Sequence, residues 1–264
     1  AGAFKAQIEA LANPESAQAI DVALRTGPAS DVRSASNLYH APLDGTLNRS
    51  EEAFMSKLAE KIPGVKRSQV AYVTFLNKLR ADTFDTIAAS WAADGRKVTQ
   101  TDLSELATYI NRASGRGSLG PLGNQGKVLS TIFYSPRFTA SRVQIAQSML
   151  SKSPTVRQQA WRDFALYVGP RATLLGMASA AGIASVELNP ESSDFGKLRV
   201  GNSRVDLWGG WQPVVRYTAQ LSTNRRQGLN TGQPTQVGSN ALTGAATTIS
   251  QFARSKLAPV PGIG

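Results

Sequence analysis

The chain of 264 residues has no cysteine and a single histidine, His40. The first absence excludes disulfides, thiolate metal sites and a cysteine nucleophile. The second rules out a multi-histidine zinc centre, and His40 with nearby Asp44 makes neither a metal site nor a catalytic triad. Acid is missing where base is not. Between Leu106 and Arg162 stand Arg112, Arg116, Lys127, Arg137, Arg142, Lys152, Arg157 and Arg162, without one Asp or Glu. From Phe195 onward Lys197, Arg199, Arg204, Arg216, Arg225, Arg226, Arg254 and Lys256 face one acid, Asp206. The first hundred residues are nearly balanced, so most of the net charge of +11 falls later in the chain. Such asymmetry points to a polyanionic partner, most simply nucleic acid.

Long apolar runs are also few. Phe164–Val186 holds one charge, Arg171, and approaches the length of a membrane span. Gly169-Pro170, the internal arginine and a high share of Ala, Gly and Ser argue against insertion. A packed core helix is expected there, with membrane contact the less favoured reading. The opening, Ala1-Gly2-Ala3-Phe4-Lys5, lacks the charged-then-apolar order of a secretory signal. A start at Ala1 without methionine suggests a processed piece of a longer chain.

The periodicities that remain predict a mainly α protein, a multi-helix assembly with one β-hairpin near 197–207. Helices are expected over Phe4–Ala12, Pro14–Leu24 (capped by Asn13), from an Asn48/Glu51 capping box to Ile62, over Ser68–Ala93 and over Asp102–Ala113. Val70, Val73, Leu76, Leu79, Phe84, Ile87 and Trp91 give the longest of these its apolar stripe. Further helices are expected over Lys127–Tyr134, Phe138–Leu150, Val156–Val168 (broken at Gly169-Pro170), Pro213–Leu221 and Leu242–Leu257. Gly27–Leu47 and Ser222–Gly238 read as loops. The glycine-rich segment 115–126 reads as a linker between an N-terminal helical lobe, 1–114, and a C-terminal lobe, 127–264.

In the hairpin, Lys197–Val200 and Ser203–Leu207 alternate apolar and charged residues around Gly201-Asn202. Trp208, Gly209 and Gly210 follow as the structural exit from it.

The letter motifs carry no chemistry. Gly115-x-Gly117-x-x-Gly120 follows a helix instead of a strand, so it lacks the setting a dinucleotide site needs. Asp194-Phe195-Gly196 stands without the other kinase motifs and reads as a turn. The carboxylate pairs Glu51/Glu52 and Asp82/Asp85 lie on helix faces beside Arg and Lys and read as solvated ion pairs with them. No catalytic residue, metal or cofactor is expected. The candidate nucleic-acid contacts are Arg137, Arg142, Arg157, Arg225 and Arg226, with Tyr134, Phe138, Trp161 and Tyr167 as rings near the first three.

From Val70 to Pro261 the chain resembles a C-terminal module of large polyvalent proteins of phages and mobile elements. The residues carrying the likeness are Phe75–Asp82, Ser114–Gly117, Phe133–Arg137, Ser192–Lys197, Gly201–Gly210 and Arg254–Pro259. The resemblance implies a non-enzymatic protein delivered with, or packaged beside, a phage genome, and it supplies no catalytic residues. Its partners would be other virion proteins (portal, tail or core), double-stranded DNA and further copies of itself. Its place would be the virion, then the host cell after ejection. The alternative is a DNA-binding accessory of antirestriction type delivered with the genome.

Overall fold

A computed structural model of the protein describes residues 2–43, 63–121, 136–209, 211–227 and 233–240, with 243, 244, 247 and 250. The chain is mainly helical, with a few short antiparallel strands. It divides into two compact units, Ala1–Ala160 and Trp161–Pro259.

In the first unit, α1 (Gly2–Ala12) and α2 (Pro14–Thr26) lie on the long helix α4 (Pro63–Ala93). Ala3, Ala6 and Ala10 are the buried residues of α1, and their small side chains allow a close approach. Asn13 separates α1 from α2 as expected, its side chain accepting the Glu15 N–H at 3.0 Å with Pro14 at the first helical position. Ala10, Ala17 and Ala71 form a small core where these helices meet. The expected loop after α2 contains a short helix, α3 (Ser30–Ala35). The capping box at Asn48/Glu51 and the helix it would open lie outside the described residues, as do Asp44 and the 127–134 helix.

The larger core joins α4 to α5 (Gln100–Ala113), a 3-10 turn (Ile145–Leu150) and the start of α7 (Pro154–Ala180). Phe84, Trp91, Leu106, Ile110, Val156 and Ala160 are its buried members. Thr99 and Asp102 form a full capping box on α5. Asp102 also accepts the Ser153 hydroxyl at 2.6 Å. These bonds to Ser153 and Thr99 hold its carboxyl below the ordinary value, and they tie α5 to the start of α7.

That packing moves the division of the chain. The sequence reading placed it in the 115–126 linker; the structure places it after Ala160. Val156 and Ala160 are core residues of the first unit, and Gly117 packs on α6 (Pro136–Gln144), donating its N–H to Arg137 O at 3.0 Å. Residues 122–126 lie outside the described set.

The α4 stripe also differs. Leu79 is exposed, whereas Arg80 is 1% exposed. Arg80 Nε donates to Ser114 Oγ at 2.8 Å and its guanidinium lies 5.1 Å from the Tyr39 ring centre. Hydrogen bonding and a π face make burial of this cation tolerable.

In the second unit α7 runs through Pro170 without a break. Proline removes the N–H that Leu166 O would accept. Side chains engage the neighbouring carbonyls: Arg171 Nη1 donates to Tyr167 O at 2.6 Å and Thr173 Oγ1 to Gly169 O at 2.9 Å. The expectation of a packed core helix fails here, because Trp161, Phe164, Leu166, Leu174 and Met177 are exposed and Leu175 is buried. Among the described residues no helix is long and apolar enough to cross a membrane.

The hairpin forms as expected, β2 (Leu198–Val200) pairing with β3 (Ser203–Val205). Gly201 alone supplies a positive φ, +56°. A strand the periodicity did not show, β1 (Ser185–Val186), pairs with β2 to complete a three-stranded antiparallel sheet in the order β1-β2-β3. The run ends at Val205 because Asp206 Oδ1 accepts the Trp208 N–H at 2.7 Å, which turns the chain. Trp208 donates its indole N–H to Gly196 O at 2.8 Å. A Cβ on Gly196, whose φ is +76°, would collide with that indole. Helix α8 (Gln212–Thr223) follows. The expected 222–238 loop instead holds a second hairpin, β4 (Arg225–Gln227) with β5 (Pro234–Gln236). Gly210 and most of the 242–257 helix lie outside the described residues.

Candidate nucleic-acid interface

Of the acid-free stretch, Lys127 lies outside the described residues and Arg162 falls in the second unit; the described part as far as Ala160 folds into the end of α5, α6, the 3-10 turn and the start of α7, in the first unit. Its arginines serve the packing there. Arg137 Nη1 reaches Gly117 O at 3.5 Å, and Arg142 lies over Phe138, 4.2 Å from the ring centre. Arg157, which is exposed, donates to Ser151 O at 3.2 Å. Arg116 stacks on Tyr39 at 3.2 Å, and Arg112 Nη1 donates to Ser148 Oγ at 3.3 Å. Burial lowers the Arg112 pKa, against the pull of Glu105. Carbonyls, hydroxyls and rings orient a guanidinium without cancelling its charge.

Two of the expected base-stacking rings are occupied. Phe138 lies under Arg142; Tyr167 lies 3.8 Å under Arg171 and donates its hydroxyl to Trp208 O. Trp161 is half exposed and meets Phe164 edge to face at 5.9 Å. Tyr134 lies outside the described residues.

The second unit gathers a different set. Arg199 and Arg204 are direct partners across β2–β3, so their side chains share one face of the sheet. Lys197 has the same parity. The other face carries Leu198 opposite Val205. One carboxylate, Asp194, serves the basic face: Oδ1 accepts Lys197 Nζ at 2.7 Å and Oδ2 accepts Arg204 Nε. Burial works to raise the Asp194 pKa, but the hydrogen bonds and charges of Lys197 and Arg204 outweigh it and hold the carboxyl below its ordinary value. Arg199 has no acid among the described residues; its Nε bonds Gly201 O at 3.3 Å.

The second hairpin is tied to the same loop. Gln227 donates its N–H to Glu191 O at 2.7 Å and accepts Asn189 Nδ2 at 2.6 Å and Ser193 Oγ at 3.2 Å. Arg225 and Arg226 are therefore strand residues, both exposed, and not residues of a loose loop. Arg225 stands 3.7 Å from Glu191, an open ion pair. Arg199 and Arg204 were missed as candidates, although the signal is in the sequence: a two-residue turn at 201–202 pairs 199 with 204.

His40 has a structural place. Its Nε2 lies 2.6 Å from Asp21 Oδ1 and 3.3 Å from Asn77 Nδ2, which donates one of its two N–H groups to Ala41 O at 2.7 Å. Burial lowers the His40 pKa below 6.5, partly countered by Asp21 and aided by Arg25 and Arg80. The unfolded chain therefore takes up the proton first, and stability should fall as pH drops through 6.5. Denaturation of the parent at pH 7.5 and 5.5 should show this loss, and H40Q should flatten it; an equally steep H40Q curve refutes the assignment.

Among the described residues no group of three or more His, Asp or Glu side chains could hold a metal ion. Comparison with protein families, curated proteins and solved structures finds no match.

Proposed function

We propose that the chain is a non-enzymatic phage virion module, an internal or ejected protein that lies against packaged DNA and against portal, tail or core proteins. The observation that carries the reading is the charge layout. Within a stretch of eight bases and no acid, Leu106 to Arg162, the described residues are largely helical, and no carboxylate alternates with the arginines they carry. The resemblance to polyvalent phage proteins supports the same reading. So does the uncovered apolar surface of α7, which further copies or neighbouring virion proteins would bury.

The experiment is fluorescence anisotropy of the chain with a labelled mixed-sequence duplex over a salt series. Binding should weaken linearly in log–log form, by the release of condensed counterions. No binding at 50 mM salt removes the DNA part of the reading. Mass spectrometry of purified particles addresses the other part: the chain should be present, and its absence ends the virion assignment.

A further inference from the structure

We propose that the β-hairpins of the second unit form a sequence-independent contact for the phosphodiester backbone of double-stranded DNA, with Arg199, Arg204 and Arg225 as its cations. The proposal rests on the DNA part of the reading above and places the contact on residues outside the acid-free helical stretch.

The first ground is a cost the fold accepts. Two arginines placed directly opposite on neighbouring strands repel each other, which works against the sheet. Asp194 relieves Arg204 and Lys197, but its two oxygens are then used, and Arg199 is left with a backbone carbonyl. On the face that carries Lys197, Arg199 and Arg204, Asp194 is the one carboxylate in ion-pair contact among the described residues, and it pairs with only two of the three cations. An external anion seated there would supply the missing charge.

The second ground is position. The loop Glu187–Lys197 anchors both hairpins, through Asp194 on β3 and through Glu191, Asn189 and Ser193 on β4. The cations therefore sit on a braced frame that loses little freedom when it meets a ligand. Arg225 is 60% exposed, and its ion pair at 3.7 Å is open enough to exchange for phosphate.

The third ground selects duplex over single strand. Single-strand sites pair cations with rings on which bases stack. Here Trp208 is fixed by its indole bond to Gly196 O, and Tyr167 is covered by Arg171. What the hairpins offer is guanidinium, which suits a regular line of phosphates and reads no base identity.

The test compares the parent with R199Q/R225Q and with a control, K5Q, that removes an exposed cation of α1. Each is titrated with a mixed-sequence duplex, a second duplex of different sequence and a single strand. The parent should bind both duplexes alike and more tightly than the single strand. R199Q/R225Q should lower the salt slope by about 2, one unit for each phosphate contact removed, while K5Q leaves it unchanged. R199Q alone should not lower the stability of the fold, because it relieves the cross-strand repulsion; weakened binding in a fold no less stable separates a ligand contact from a structural one. Parental slopes in R199Q/R225Q overturn the hairpin contact while leaving DNA binding in place. Tighter binding of the single strand overturns the duplex assignment. No binding by the parent overturns both this inference and the DNA reading beneath it.

Discussion

Gly117→Val should lower the stability of the first unit by about 3 kcal/mol, at the upper end of the usual cost of overpacking. A Cβ at this position would meet Ser141 N and would stand 2.7 Å from both Ala140 C and Arg137 O. All three are backbone atoms, so no side-chain rotation makes room. The displaced piece would be α6, whose start accepts the Gly117 N–H and whose residue Gln144 brackets Ser118 through bonds of 2.8 and 2.7 Å. For a unit of this size the loss corresponds to a fall in Tm of roughly 10 °C. Gly117→Ala should show most of the effect, because the Cβ alone makes the collision. Calorimetry with a Tm unchanged by either substitution would show that 117 does not pack on α6.

Asp194→Ala should cost the second unit about 2 kcal/mol. Removing one partner of a buried pair leaves the other unpaired, a loss commonly put at about 3–5 kcal/mol. The smaller figure applies because Lys197 and Arg204 keep 24% and 40% of their side-chain surface in water, which screens the charge left behind. The variant also leaves Arg204 facing Arg199 with no carboxylate between them. The same residue sets an acid limb in the stability curve. Its pKa is lower folded than unfolded, so its contribution is complete above the ordinary carboxylate value of 3.8 and disappears as pH falls through the folded value. Denaturation followed by tryptophan fluorescence should show that limb in the parent and a shallower one in D194A. Equal midpoints for the two at neutral pH would refute the role.

Much of the helical fold could be read from residue spacing. The Asn13 cap between α1 and α2, the stop after Ala93 and the helix ending at Ala113 rest on local chemistry, which a sequence displays directly. The β2–β3 turn is of the same kind. What escaped depends on contacts between distant segments. Arg80 occupies a core position on α4 because Ser114 and Tyr39 receive it, and neither is near it in the chain. Strands β4 and β5 exist because Gln227 is gripped by residues 189–193, so a polar run without large apolar side chains still forms a hairpin. Pro170 looked like a break, but the helix passes through it with Arg171 and Thr173 side chains bonded to adjacent carbonyls. Of the candidate cations, Arg225 and Arg226 were legible as an exposed pair. The pairing of Arg199 with Arg204 required working out the register, not just the alternation.

The small sheet has one further property. Both of its outer strands are brief, two residues in β1 and three in β3, and the middle residue of β3 is Arg204. Free peptide groups on an outer strand invite another chain to zip alongside, and shortness with a central guanidinium denies such a neighbour both length and a neutral approach. Short length and charge at its edges therefore both oppose extension of the ribbon beyond three strands.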